Sequence, residues 1–380
     1  MSSATRSEEV AAAALSDTAR RARRSGPEYD RFLIPTSRGF AIRLNRLRSR
    51  NEGVRPQIAL LIPGFFCGSV LMDPLAAALR DRGYTVYTLD LRGRTPETMP
   101  PDESRVGWTV DDYIRQDFPA ALRALRELHP DRRIAVFGHS MGGMIAKFYA
   151  GSSHHFRAAG DDDIPDPDEY LDAVITLASP AYMNMRLDFP GFDLLVKSVR
   201  MVGVNSAAGM MVDAISGVMG GTFPRLPLGG FLRGVYSVGG DPLRALSFAV
   251  SQSFTSMRTW LGYDDISRDE WSHLLENIFC RESIQCLRQF AKSQLSDGVY
   301  HSHDERINYT AELENMRVPL CTCLGLRDVI AEPRSVLHAH DVVSSPEKTV
   351  FEYETGHGGI VLDSRVVGRI ARDTDAWLQR

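Results

Sequence analysis

The stretch VFGHSMGGMIAKFYA (residues 136–150) starts as an apolar strand, breaks at Gly138 and resumes with the spacing of a helix. A strand that enters a helix through one tight turn forces the turn residue into a strained backbone conformation, and only small neighbours fit beside it. Ser140 stands at that turn, with Gly138 two residues before it and Gly142 two after. Such a turn lifts the hydroxyl above the sheet edge and leaves the amide of Met141 at a helix N-terminus, where it can donate to an anion. The pattern G-x-S-x-G nominates Ser140 as a nucleophile. Ordinary glycine-flanked turns also match five such loosely specified positions, so the rest of the chain has to decide.

Outward from this turn, strand-like and helix-like stretches alternate. RFLIPTS and FAIRLNRL flank Arg38-Gly39 and predict an opening hairpin. IALLIPG is a continuous apolar run, the mark of a strand buried on both faces. Helical spacing at Leu71, Leu75, Ala78 and Leu79 stops at Gly83. The strand YTVYTLDLRG follows, then the helix DDYIRQDFPAALRALREL, the strand RIAVFG that feeds the turn, and the strand DAVITLASP. This succession predicts an α/β fold, a mostly parallel sheet with helices on both faces. From about Ala181 to Arg317 no buried strand is legible, only helix-like pieces separated by glycine and proline. The alternation then returns with VPLCTCLGLRD and KTVFEYETG as strands and RVVGRIARDTDAWLQ as a closing helix. The expected organisation is a tail at 1–28, a core formed by 29–180 and 318–380, and a largely helical insertion at 181–317 before the last two strands.

A serine hydroxyl is a poor nucleophile unless a base removes its proton, and that base needs an acid to fix its tautomer. In an open parallel sheet such groups gather on loops beyond the carboxyl ends of the strands. LGLRDVIAEP presents Asp328 there, with Glu332 one short turn away as an alternative partner for the same imidazole. YETGHGGI presents His357 between two glycines. Other histidines read as structural: His139 beside the serine is expected to point away from it, His154 and His155 end a helix, and His301, His303, His338 and His340 lie in polar surroundings. IPGFFCGS (62–69) follows the buried strand expected beside that of Ser140. Its glycine lets the loop fold back, so that the amides of Phe65 and Met141 face one another as donors to an oxyanion.

Composition sets the bounds. A chain of 380 residues with 43% apolar and 24% charged residues is ordinary for a soluble α/β protein carrying an insertion. A net charge of −4, with no basic stripe and no interleaved aromatic platform, argues against nucleic acid as a partner. Five cysteines at 67, 280, 286, 321 and 323 form neither a disulfide framework nor a metal knuckle, and Cys321 and Cys323 read as reduced core residues. The acidic run GDDDIPDPDEY lacks the spacing and glycine of a calcium loop and reads as a solvated segment. In MSSATRSEEVAAAALSDTARRARRSG the apolar stretch precedes the arginines, the reverse of a secretory leader. No stretch reaches the ~18 apolar residues of a membrane span. The expectation is a cytoplasmic protein of unspecified oligomeric state, needing no metal and no organic cofactor.

GHSMGG, LIPGFFCGS, LDLRGR, GLRDVIAEP and TGHGG, spread over roughly 55–180 and 315–380, make the chain resemble the α/β-hydrolase superfamily. VPLCTCLGLRDVIAEPRS and SSPEKTVFEYETGHGG are similar to lipase-like and polyhydroxyalkanoate-synthase-like members. Two departures stand out: such synthases use cysteine where this chain has Ser140, and the family's usual His-Gly at the oxyanion loop is Pro63-Gly64 here. The resemblance implies an α/β-hydrolase fold with Ser140, Asp328 and His357 as catalytic residues, and residues 181–317 as a cap over the site. GVNSAAGMMVDAISGVMGGTFPRLPLGGFL, rich in methionine, glycine and phenylalanine, suits an adaptable lining for an apolar acyl group. The implied reaction is cleavage of a small, lipophilic carboxylic ester through an acyl-enzyme on Ser140. Alternatives are an acyltransferase or thioesterase using the same residues, and a non-catalytic binding protein on the same scaffold.

Overall fold

The computed structural model describes residues 28–49, 53–100, 107–160, 164–183, 278–295 and 298–380, together with the backbone of Arg225–Leu226. An antiparallel hairpin of β1 (Tyr29–Pro35) and β2 (Ala41–Leu47) opens the chain. It is followed by β3 (Ile58–Ile62), β4 (Thr85–Asp90), β5 (Ile134–His139) and β6 (Leu171–Leu177). Arg225–Leu226 (β7) and Glu282–Ser283 (β8) form a small antiparallel pair, and β9 (Leu320–Gly325) and β10 (Lys348–Tyr353) complete the set. One sheet of eight strands results, in the order β1-β2-β4-β3-β5-β6-β9-β10. Every pair from β4 to β10 is parallel, and the hairpin joins antiparallel at one edge.

The period of two along a strand, with both faces of the sheet covered, explains why β3 is apolar at every position. Ile58, Leu60 and Ile62 pack with the helices Phe118–Leu128 and Met141–Ala158 on one face. Ala59 and Leu61 pack with the helices Asp73–Arg80 and Ser364–Leu378 on the other. Cys321 and Cys323 point into this second layer as free, buried thiols.

Three local features differ from the pattern read in the sequence. The helix expected to run unbroken from Asp111 passes through a π turn at Tyr113–Asp117. Pro119, near the start of the α-helical part, has no amide to donate, so the ladder widens there. The carboxylate of Asp117 in that turn pairs with the wholly buried Arg92, at 2.7 Å. Between β9 and β10 lies a further helix, Pro333–Val342. Third, β8 is a buried strand inside a span read as having none.

Residues 184–277 of the expected cap lie outside the described residues, β7 excepted. The chain leaves and returns at neighbouring points: β6 pairs directly with β9, and the amide of Met183 donates to the carbonyl of Gly298 at 2.7 Å. Among the described residues no helix is long and apolar enough to cross a membrane.

Candidate active site

Ser140 sits where β5 ends and the helix Met141–Ala158 begins, with φ 50° and ψ −119°. That left-handed conformation costs a non-glycine residue about 1–3 kcal/mol, so the surroundings must hold it. Its amide donates to the carbonyl of Leu177 at 2.9 Å, and its own carbonyl accepts from the amides of Gly143 and Met144, each at 3.1 Å. A Cβ on Gly138 would lie 2.4 Å from the backbone of Gly143, and one on Gly142 would lie 2.3 Å from the carbonyl oxygen of Ile62. The turn is thus pressed against the end of β3. Gly143, which the pattern did not single out, is equally constrained, since a Cβ there would meet Ser179 Oγ at 2.6 Å.

Asp328 follows β9. Its Oδ1 accepts from the amides of Ile330 and Ala331 at 2.8 and 2.9 Å, while its Oδ2 faces Nδ1 of His357 at 2.8 Å. A carboxylate only accepts, so Nδ1 carries the proton and Nε2 presents its lone pair. That Nε2 lies 3.0 Å from Oγ of Ser140. The structure therefore brings Ser140, His357 and Asp328 into one hydrogen-bonded series at the carboxyl ends of β5, β9 and β10. Glu332 instead heads the helix Pro333–Val342, its carbonyl accepting from the amides of Ser335 and Val336.

His139 has a structural role close to the site: its ring is buried 4.9 Å from that of His357, and its Nε2 donates to the carbonyl of His357 at 3.0 Å. Burial, with a smaller contribution from the neighbouring His357, pushes its pKa down to about 3, so the ring is neutral. A Cβ on Gly64 would approach its Nδ1 to 2.9 Å. One imidazole thus underlies both the 62–69 loop and the His357 loop.

In the 62–69 loop, Gly64 lies against Ser140, since a Cβ there would be 3.2 Å from that of the serine. The amide of Cys67 closes the turn on the carbonyl of Gly64 at 3.2 Å, with Phe65 between them and Phe66 at φ 59°. Phe65 and Phe66 are half-buried, and the Phe65 ring lies 4.5 Å from both Phe66 and Phe290. Met141 is the first residue of its helix, where the amide has no intrahelical acceptor. Burial raises the Cys67 thiol to about 12, so it holds no thiolate at neutral pH.

Contacts far apart in sequence pin this loop. The carbonyl of Phe66 accepts from the amide of Cys280 at 2.7 Å, and the amide of Gly68 donates to Ile278 at 2.9 Å. Two residues on, Glu282 pairs with Arg94 at 2.6 Å, both side chains fully buried, and also accepts from Tyr113 Oη and Trp108 Nε1.

A family model described as alpha/beta hydrolase fold matches residues 60–192, from β3 through Ser140 and past β6. Solved structures share the architecture. A soluble variant of monoglyceride lipase from Saccharomyces cerevisiae, in complex with a substrate analog, aligns at TM-score 0.52 and 16% identity, over 93% of this chain and 96% of that one. The chain carries the α/β-hydrolase fold. An alpha/beta fold family hydrolase from Bacillus anthracis str. Sterne aligns at TM-score 0.51 and 17% identity, over 91% of this chain and 99% of that one. The complex of DcsB with its substrate analogue gives 0.53 and 13%, over 93% and 98%. No protein of curated function matches the sequence. At these identities the resemblance concerns the hydrolase fold, and chemistry has to be argued from the site.

Proposed function

We propose that this α/β-hydrolase-fold protein cleaves a small carboxylic ester with an apolar acyl group, through an acyl-enzyme on Ser140. The observation that carries the reading is the series Ser140 Oγ–His357 Nε2–Asp328, at 3.0 and 2.8 Å. His357 Nε2 takes the hydroxyl proton as Oγ bonds to the ester carbon, and the carbonyl oxygen becomes an oxyanion facing the amides of Phe65 and Met141. Asp328 holds the imidazole and stabilises the cation. Collapse of the tetrahedral adduct breaks the bond to the leaving alkoxide, which takes the proton from Nε2. Water, deprotonated by the same nitrogen, then attacks the acyl-enzyme, and collapse of this second adduct breaks the bond to Ser140 Oγ, which takes the proton from Nε2 as the acid departs.

The half-buried rings of Phe65 and Phe66, with Phe290 beside them, favour an apolar acyl chain. We assign residues 181–317 as the cap over this site and the cytoplasm as its location. A fluorophosphonate probe should label wild type and not Ser140→Ala, and p-nitrophenyl esters of rising chain length should be turned over by wild type alone. Ser140→Ala leaves only the contribution of binding and oxyanion donors, a loss of several orders of magnitude in kcat. Unchanged turnover in that variant would overturn the assignment, and product analysis with competing alcohols separates hydrolysis from acyl transfer.

A further inference from the structure

His154 and His155 lie near the C-terminal end of the helix Met141–Ala158, whose N-terminal end is headed by Ser140. Successive residues of a helix project roughly 100° apart, so neighbouring side chains ordinarily diverge. These two converge: their ring centroids are 4.1 Å apart, and both reach Glu312, in the short helix Tyr309–Glu312. His155 Nε2 is 2.9 Å from Oε1 of Glu312, and His154 Nε2 is 3.5 Å from Oε2. One donor atom from each residue falls within 4.8 Å of the other two. Around a tetrahedral zinc ion, with ligand distances of ~2.1 Å, donor atoms stand about 3.4 Å from one another.

Two further observations show the arrangement to be held. A Cβ on Gly151 would lie 2.3 Å from the carbonyl oxygen of Glu312, so the two segments meet backbone to backbone one turn before the histidines. Asn315 Nδ2 donates to Glu312 Oε2 at 2.8 Å and aims the carboxylate, the role an outer partner plays for a metal ligand. His155 Nε2 is itself shielded from solvent and makes no aligned hydrogen bond, despite its 2.9 Å approach to the carboxylate. A proton bridges an imidazole nitrogen and a carboxylate oxygen at that distance, and a metal ion would take the proton's place with a widening of about 0.5 Å.

We propose that His154, His155 and Glu312 form a binding site for a late first-row divalent transition ion, with zinc(II) the ion of choice. Two imidazole nitrogens and one carboxylate suit zinc and disfavour magnesium or calcium, which take oxygen donors. Both histidine side chains are nearly half exposed, 48% and 40%, which leaves a path for the ion and room for water as the fourth ligand. Bound there, the ion ties the end of the helix that begins at Ser140 to the segment running back into β9. The site stands independently of the reaction at Ser140.

The test is calorimetric titration of the full chain, free of any affinity tag, with zinc chloride and in parallel with magnesium chloride. The expected result is one equivalent of zinc bound, no heat from magnesium, and affinity at least tenfold weaker in His154→Ala, His155→Ala and Glu312→Gln. Zinc should raise the melting temperature of wild type and not of these variants, whose ion-free melting should match that of wild type. Anomalous diffraction at the zinc edge on wild-type crystals gives a second readout that needs no variant. No uptake by wild type, full affinity in His154→Ala/His155→Ala, or an anomalous peak away from these residues would overturn the proposal.

Discussion

The imidazole of His139 donates to the carbonyl oxygen of His357 at 3.0 Å, so the residue just before Ser140 holds the loop that carries the neighbouring imidazole. His139→Ala should lower kcat about tenfold with little change in KM, the loss of roughly one hydrogen bond's worth of positioning. His139→Gln retains a donor and should recover part of it. The same ring predicts a pH effect. Its folded value of about 3 lies below the ordinary histidine value of about 6.5, so only the unfolded chain takes up the proton between them. Stability should therefore fall as pH drops from about 6.5 toward about 3, by up to about 1.4 kcal/mol per unit from this group. Urea midpoints at several pH values should decline less steeply for His139→Gln.

Lys147 is wholly buried, and its Nζ donates to Ser179 O and Oγ at 2.8 and 3.2 Å, both uncharged acceptors. Burial holds its pKa well below the usual lysine range. The unfolded chain then carries the extra proton from that lowered value up to about 10.4, and stability should rise with pH across the window. Within that window the gain from this residue is at most about 1.4 kcal/mol per unit. Lys147→Met should flatten that rise in denaturant titrations, and an equal slope in the variant would refute the account.

The turn at Ser140 should tolerate no added methyl group around it. Gly143→Ala would drive a Cβ into Ser179 Oγ and the carbonyl of Gly138, at 2.6 and 2.7 Å, and should cost about 3 kcal/mol with a large fall in activity. Ser140 shows the complementary effect: with φ at 50°, Ser140→Gly should be about 1 kcal/mol more stable than Ser140→Ala, although the proposed function predicts loss of activity in both. Chemical denaturation of the three variants checks both statements.

Arg94 and Glu282 meet at 2.6 Å with both side chains fully buried, beside the segment that pins Phe66 and Gly68. Arg94→Met strands a buried carboxylate and should cost about 3–5 kcal/mol. Arg94→Met/Glu282→Leu removes both charges and should recover much of that stability. If the loop contacts govern reactivity, the double variant, though folded, still turns over substrate more slowly than wild type; restored stability with full kcat would separate the pair from the site.

Local pattern carried the reading of the frame. IALLI and RIAVFG are apolar at successive positions because both faces of the sheet are covered, and that signal needs no knowledge of partners. Glycines marked the turn at Ser140 and the His357 loop, and an acid or imidazole just past the end of an apolar strand marked Asp328 and His357. The features that escaped depend on partners distant in sequence. The constraint on Gly143 arises from Ser179, the placement of His139 from a carbonyl at 357, and the seat of the 62–69 loop from residues 278–280. The helix Pro333–Val342 buries only Ser335, Val336 and Ala339, too thin a stripe to stand out among its polar residues. β8 consists of Glu282 and Ser283, and a search for apolar strands passes over it.

The amide of Met183 meets the carbonyl of Gly298 at 2.7 Å, while β6 and β9 lie side by side. The two ends of the excursion between them are thus fixed against each other, and its returning stretch at 278–282 is fixed as well against the 62–69 loop and Arg94. Insertions in the sequence between residues 183 and 278 would leave the register of β6 against β9 intact. Chains that differ in length there would keep the same eight-stranded frame.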